Sequence, residues 1–215
     1  MATSSQEEVT SSPETLRVLI LHGSGGTADG FTDTMEIWRT ALTESNSIDL
    51  ELTAIQAPAP KGDGYAWWSM PDGVRSFTAE RYDGFEESAS AVLKAMQECD
   101  FDLVVGHSQG AILTTALLAL NKIPRHPPRG YILNGVAWPN PYTKELESLQ
   151  LQESVLMIVG ATDEMNPPKQ AMRVKSALQQ AGCLVTVVNH SGGHSVPVDM
   201  NETLETILQW IVGKG

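Results

Sequence analysis

Apolar positions in this chain follow two alternating rhythms. Short runs rich in β-branched residues read as strands: RVLILHG (17–23), LELTAIQA (50–57), FDLVV (101–105), YILNGVA (131–137), VLMIVGA (155–161) and LVTVVNH (184–190). Between them, apolar residues recur at helical spacing. Phe31, Met35, Trp38 and Leu42 share a face within 29–43, Phe85, Ala89, Val92, Leu93 and Met96 within 84–98, and Leu204, Ile207, Leu208 and Ile211 within 201–212. AILTTALLAL (111–120) is apolar throughout and reads as a buried helix. For a helix over 167–181, Asn166-Pro167 predicts the cap and first residue, and Gly182 the stop. Six strands separated mostly by helices predict an α/β fold: a doubly wound, about six-stranded, mostly parallel sheet covered on both faces. In such sheets, sites gather at the carboxyl ends of the strands. With the first strand starting near Arg17, no antiparallel hairpin is expected ahead of it.

Composition narrows this picture. Residues 1–14, rich in Ser, Thr and Glu, predict a disordered leader, and 15–215 a single domain. The chain lacks an apolar run of the ~20 residues a membrane span needs, and its start has neither the basic residues nor the apolar stretch of a signal peptide. A cytoplasmic, soluble protein is expected. Cys99 and Cys183 predict reduced thiols rather than a disulfide framework. A formal charge of −12 and the lack of a Lys/Arg cluster disfavour nucleic acid and anionic membrane as partners. Oligomeric state is left open.

The candidate chemistry centres on Gly106-His107-Ser108-Gln109-Gly110, a G-x-S-x-G pattern lying where a strand passes into a helix. The sharp turn of a nucleophile elbow strains the backbone at Ser108 and brings neighbouring chain too close for a Cβ at Gly106 or Gly110. A serine hydroxyl needs an imidazole to take its proton and a carboxylate to hold that imidazole in the right tautomer. Asp163, in GATDEMNPP just past a strand, and His194, in SGGHSVP, follow in the order this fold uses. A capping role for Asp163 and a surface-loop role for His194 are the plain alternatives. His190 is the competing base, His107 is expected to point away from Ser108, and His126 sits in a Pro-rich surface connection. Acyl transfer also needs two N–H donors for the oxyanion. Gln109 supplies one, and Ser24, in the turn HGSGG (22–26), is the best-placed source of the other. That turn lacks the Lys of a P-loop and the spacing of G-x-G-x-x-G, so no nucleotide is expected there.

The segment Gly64 to Pro71 concentrates Tyr65, Trp67 and Trp68 between Pro/Gly-rich flanks. Trp67 and Trp68 are candidates to line an acyl pocket or lid, or else to anchor the loop by packing on the sheet. Met165 and Val196, beside the proposed acid and base, are further pocket candidates.

Together LHGSGG, YAWW, YDGFEES, FDLVVGHSQGA, the Asp163 loop and GGHSVP resemble the FSH family of serine hydrolases. This is a compact branch of the α/β-hydrolase superfamily that includes the ovarian-tumour-suppressor-candidate-2-like proteins. The resemblance spans about 17–212. It implies a minimal α/β-hydrolase with a triad of Ser108, Asp163 and His194, an oxyanion hole from Ser24 and Gln109, and carboxylesterase or thioesterase activity without cofactor or metal. The chain departs from the family at Ser24-Gly25-Gly26, where a bulkier residue is common after the first glycine, which leaves pocket size open. The expected function is hydrolysis of carboxylic esters of small to medium acyl chains through an acyl-enzyme on Ser108. The alternatives are a thioesterase acting on carrier- or CoA-bound acyl chains, and a non-catalytic, receptor-like protein that keeps the triad.

Overall fold

The computed structural model describes residues 14–46, 48–122, 126–199 and 201–214. Of the expected leader, Glu14 belongs to the first strand and residues 1–13 lie outside the described residues. The strands are β1 (Glu14–Leu21), β2 (Ile48–Ile55), β3 (Ala59–Lys61), β4 (Gly64–Ala66), β5 (Leu103–His107), β6 (Gly130–Asn134), β7 (Ser154–Gly160) and β8 (Leu184–His190). The helices are α1 (Ala28–Asn46), α2 (Phe85–Glu98), α3 (Gln109–Ala119), α4 (Thr143–Glu147), α5 (Pro168–Ala181) and α6 (Glu202–Val212). Six strands form one sheet in the order β2-β1-β5-β6-β7-β8, every neighbouring pair parallel. β3 and β4 form a separate antiparallel hairpin.

The sheet is buried on both sides, which is why its strands read as nearly unbroken apolar runs. From β1, Leu16, Val18 and Ile20 pack with Phe31, Met35, Trp38 and Leu42 of α1 and with Leu204, Ile207, Leu208 and Ile211 of α6. Leu19 and Leu21 of the same strand join the opposite core, built with α2, α3 and α5. α3 is buried along its whole length, as a helix apolar on every side must be. Each fully buried Leu, Ile or Val contributes about 1.5–3 kcal/mol by leaving water, so the two layers hold the site's scaffold firmly.

The strand order reverses at β1, with β2 on one side and β5 on the other. The crevice beyond the carboxyl ends of β1 and β5 is the switch point at which such sheets place their sites. His22–Gly26 leave β1 there, and the Gly106–Gly110 turn leaves β5 there.

Three local differences from the sequence reading bear on the site. β5 runs two residues further than expected, to His107, so the strand carries into the motif. At α5 the cap is Pro167 and the first helical residue Pro168, one position later than predicted, which releases Asn166 for another contact. The β3–β4 hairpin and α4 were not anticipated. Gly182 does stop α5, in the left-handed conformation with φ 111°. Cys99 and Cys183 are both free thiols. No helix among the described residues is long and apolar enough to cross a membrane.

Candidate active site

Ser108 stands between β5 and α3 at φ 53° and ψ −115°, a left-handed conformation that costs a non-glycine residue about 1–3 kcal/mol. The strain is held from both sides. Ser108 N–H donates to the Asn134 carbonyl of β6 at 2.9 Å. A Cβ on Gly110 would overlap the Leu21 carbonyl of β1, and one on Gly106 would stand 2.6 Å from Ala111 N. The two glycines are therefore needed for the close approach expected of them.

The structure brings together the three residues that sequence order proposed. Ser108 Oγ lies 2.8 Å from His194 Nε2, and His194 Nδ1 lies 2.6 Å from Asp163 Oδ2. Asp163 is buried, and its Oδ1 accepts the Asn166 N–H at 2.8 Å. Asn166 Nδ2 in turn donates to the Gly135 carbonyl at 2.6 Å, tying the acid's loop to the end of β6. The loops of Asp163 and His194 are also joined directly, by Ala161 N–H to the His190 carbonyl at 2.8 Å and Thr162 N–H to the Gly192 carbonyl at 3.1 Å. His190, the competing base, ends β8 and serves that backbone joint, while His126 is exposed before β6.

His107 is closer to the chemistry than the motif suggested. Its ring centroid is 5.0 Å from that of His194, and its Nδ1 faces Asn134 Nδ2 at 2.7 Å. The same amide nitrogen donates to the Ser195 carbonyl at 3.1 Å, so Asn134 links the elbow to the residue after the base. Burial, then the neighbouring His194, lowers the His107 pKa to about 4. His22 is lowered too, mainly by burial. Its Nδ1 donates to the Gly23 carbonyl at 2.7 Å while Nε2 accepts from Ala57 N–H at 3.1 Å, which fixes the neutral Nδ1–H form. An unfolded chain takes up protons on these rings below about pH 6.5, whereas folded His107 resists protonation until about pH 4. The stability that His107 contributes is accordingly full above pH 6.5 and is lost as the pH drops toward 4, up to roughly 3 kcal/mol. Urea midpoints at pH 7.5, 6 and 5 should decline in that order, and His107→Phe should flatten the decline.

The turn after β1 lies against Ser108, since a Cβ on Gly23 would stand 3.2 Å from Ser108 Cβ. Within it, Gly25 N–H donates to the Tyr65 carbonyl at 2.7 Å and Gly26 N–H to the Gly23 carbonyl at 3.1 Å. Among the described residues, the N–H groups of Ser24 and Gln109 have no protein acceptor. The Gln109 side chain has a second part that the motif did not disclose. Its Oε1 accepts Trp67 N–H at 3.0 Å and its Nε2 donates to the Trp68 carbonyl at 3.1 Å, clamping the aromatic strap to the elbow.

This strap corrects the pocket assignments. Trp67 is 0% exposed, its Nε1 donating to the His22 carbonyl at 2.7 Å and its carbonyl accepting the Ser88 hydroxyl. It packs on the sheet and anchors the loop. Trp68 is 1% exposed and stacks on Tyr82, yet one face lines a cavity of about 300 Å³ with Lys61, Met70, Val74 and Gln109. Met165 is 49% exposed, its Sδ accepting from Arg75 Nη1 at 3.5 Å, and Val196 packs toward the α1/α6 core. Neither joins Trp68 in that cavity. A more open groove of about 470 Å³ lies on the other side of the elbow, lined by Gly23, Ser24, Phe31 and His107. The residues flanking Ser108 line different hollows, Gln109 the cavity beside Trp68 and His107 the open groove.

The hairpin that supports this arrangement was missed, although Gly62-Asp63 is a two-residue turn signal. Tyr65 N–H donates to the Gly26 carbonyl at 2.9 Å, and a Cβ on Gly64 would overlap the Gly25 carbonyl. Gly64→Ala must push the hairpin off the turn, and a displacement of about 1 Å costs on the order of 100-fold in rate. Steady-state kinetics should show a kcat loss of that size, together with a lowered thermal midpoint because the overlap costs about 1–3 kcal/mol. An unchanged kcat would remove the hairpin from the site's support.

Comparison with known proteins agrees with this architecture. The serine hydrolase (FSH1) family profile matches residues 10–205. Among solved structures, a Bacillus cereus carboxylesterase is similar at 18% identity and TM-score 0.67, covering 95% of this chain and 91% of its own. Esterase PE8 is similar at 20% identity and TM-score 0.69, covering 92% of each chain. Arabidopsis thaliana SOBER1 is similar at 17% identity and TM-score 0.62, covering 93% of this chain and 99% of its own. No curated protein matches the chain significantly. With an α/β-hydrolase sheet and a family match over most of its length, the chain belongs to the serine hydrolase (FSH1) family.

Proposed function

We propose that this protein hydrolyses carboxylic esters of small to medium acyl chains through an acyl-enzyme on Ser108. The reading is carried by the unbroken line of contacts from Ser108 Oγ to His194 Nε2 at 2.8 Å and from His194 Nδ1 to Asp163 Oδ2 at 2.6 Å. His194 takes the Ser108 proton as Oγ attacks the ester carbonyl carbon, and Asp163 stabilises the imidazolium and holds its tautomer. The carbonyl oxygen becomes an oxyanion facing the N–H groups of Ser24 and Gln109, the latter at a helix N-terminus where the dipole favours negative charge. On collapse, His194 returns its proton to the departing alcohol. Water, activated by His194, then attacks the acyl-enzyme in a second, parallel cycle and releases the acid.

In this reading the acyl chain takes the 300 Å³ cavity beside Gln109, walled by Trp68, Met70 and Val74. A pocket at the lower end of the usual ligand-site range favours modest chains. The leaving group departs over the open groove beside His107, whose ring neighbours that of the general acid.

The test is labelling with a fluorophosphonate probe, followed by rates across p-nitrophenyl esters of increasing chain length with an acyl-CoA thioester alongside. Labelling at Ser108 and an optimum at short to medium chains are expected. Activity confined to the thioester would make the protein a thioesterase instead, and tight ligand binding without turnover would make it receptor-like. Failure to label Ser108 would sink the acyl-enzyme itself.

A further inference from the structure

We infer that Ser24 contributes its side-chain hydroxyl, and not its backbone N–H alone, to the oxyanion site, with Lys61 polarising that hydroxyl. The inference rests on the acyl-transfer reading above. Lys61 Nζ lies 2.7 Å from Ser24 Oγ. An ammonium has only donors, so Ser24 Oγ is the acceptor and its own hydrogen stays available for a second bond. Among the described residues no protein acceptor takes that hydrogen.

Backbone structure holds the lysine in place. Lys61 is the last residue of β3 and pairs with Gly64 across the turn. β4 is hydrogen-bonded to the turn after β1 on either side of the Gly25–Gly26 peptide, through Gly25 N–H to the Tyr65 carbonyl and Tyr65 N–H to the Gly26 carbonyl. Hairpin and turn therefore form one piece, and the contact between Lys61 and Ser24 adds a side-chain link to a backbone joint. On the other side, Gly23 abuts Ser108, which puts Ser24 one residue from the nucleophile's neighbour.

Charge on the ester oxygen rises only as Ser108 attacks. A hydroxyl whose oxygen already accepts from an ammonium is a stronger donor to that rising charge. The proton stays on Ser24 throughout, and the bond relaxes when the oxyanion collapses. Asp72 lines the same cavity as Lys61, and Asp63 lies in the hairpin turn. The influence of Lys61 runs through the hydrogen bond to Ser24.

The experiment compares Ser24→Ala, Ser24→Thr, Lys61→Met and the Ser24→Ala/Lys61→Met double variant on one p-nitrophenyl ester, with Ser108→Ala as reference. Ser24→Ala keeps the N–H, and its kcat is expected to fall about 100-fold, the lower end of the cost of losing one oxyanion donor, with KM within about twofold. Ser24→Thr should recover most of the loss. Lys61→Met should cost about tenfold alone and nothing further in the Ser24→Ala background, because its effect passes through the missing hydroxyl. Affinity for an alkyl trifluoromethyl ketone, which forms an oxyanion on Ser108, should fall in parallel with kcat. A Ser24→Ala or Lys61→Met enzyme with wild-type kcat would overturn the inference, as would a Lys61→Met penalty undiminished in the double variant. If Ser108→Ala keeps wild-type turnover, the acyl-enzyme reading fails. An inactive Ser108→Ala beside a fully active Ser24→Ala fails the inference alone.

Discussion

Ser108→Ala is expected to lower kcat by about 10⁶, the scale seen when a serine hydrolase loses its nucleophile, while leaving the fold intact. The size follows from the division of labour at the elbow. In the proposed reaction Ser108 Oγ is the atom that would bond to the acyl group, and its hydrogen bond to His194 Nε2 at 2.8 Å is what would make it a nucleophile. Binding and oxyanion donors alone leave only a small residual rate. Stability responds differently, because the φ of 53° belongs to the turn and not to the hydroxyl. Alanine keeps the strain, so its thermal midpoint should stay near that of the wild type. Ser108→Gly relieves the strain, and a gain of about 1 kcal/mol should raise the midpoint by roughly 2–4 °C in a protein of this size. Calorimetry on the two variants, paired with single-turnover rates, separates the two effects. A Ser108→Gly protein less stable than Ser108→Ala would show that the backbone there carries no strain.

Much of the fold, and which residues meet at the candidate site, is legible in the sequence. The long, strongly apolar runs marked six strands at nearly their observed places, because a sheet buried on both faces leaves little freedom in which residues compose it. Gly106 was legible because its constraint is local, a Cβ there standing 2.6 Å from Ala111 N five residues on, whereas the Gly110 constraint comes from the Leu21 carbonyl of β1 and was legible only through the motif. Ser108, Asp163 and His194 could be picked out because strand ends and chain order restrict where a triad can sit. What stayed hidden depends on contacts between segments distant in sequence. Trp67 read equally well as pocket wall or anchor until its Nε1 was seen to end on the His22 carbonyl. Lys61 had no motif to announce it, since its meaning lies in Ser24, 37 positions away. Asn166 looked like a helix cap, but the helix starts one residue later and Asn166 is bonded instead to Asp163 through its N–H and to the Gly135 carbonyl through its amide. His107 was set aside on the usual geometry of an elbow, which aims the preceding side chain away from the nucleophile but does not reveal that it aims at the base.

Asp163→Asn should cost about 10⁴ in kcat with little change in KM, and the reason lies in how the carboxylate is held. Asp163 Oδ1 accepts Asn166 N–H at 2.8 Å while Oδ2 faces His194 Nδ1 at 2.6 Å. An asparagine in this place must still offer an oxygen to the Asn166 N–H, since turning its amide would set two donors face to face. Its NH₂ therefore points at His194 Nδ1. That nitrogen then accepts, the ring proton moves to Nε2, and the base presents a hydrogen to Ser108 Oγ where it needs a lone pair. The variant should keep its fold and bind substrate, and fluorophosphonate labelling of Ser108 should slow in proportion to kcat. Asn166→Pro, which removes the backbone N–H, takes away the lock that fixes the amide. In that background the Asp163→Asn penalty should shrink, because the amide is free to turn its oxygen toward Nδ1 and restore the working tautomer. A double variant as slow as Asp163→Asn in an otherwise wild-type chain would mean that the orientation is fixed by something other than Asn166.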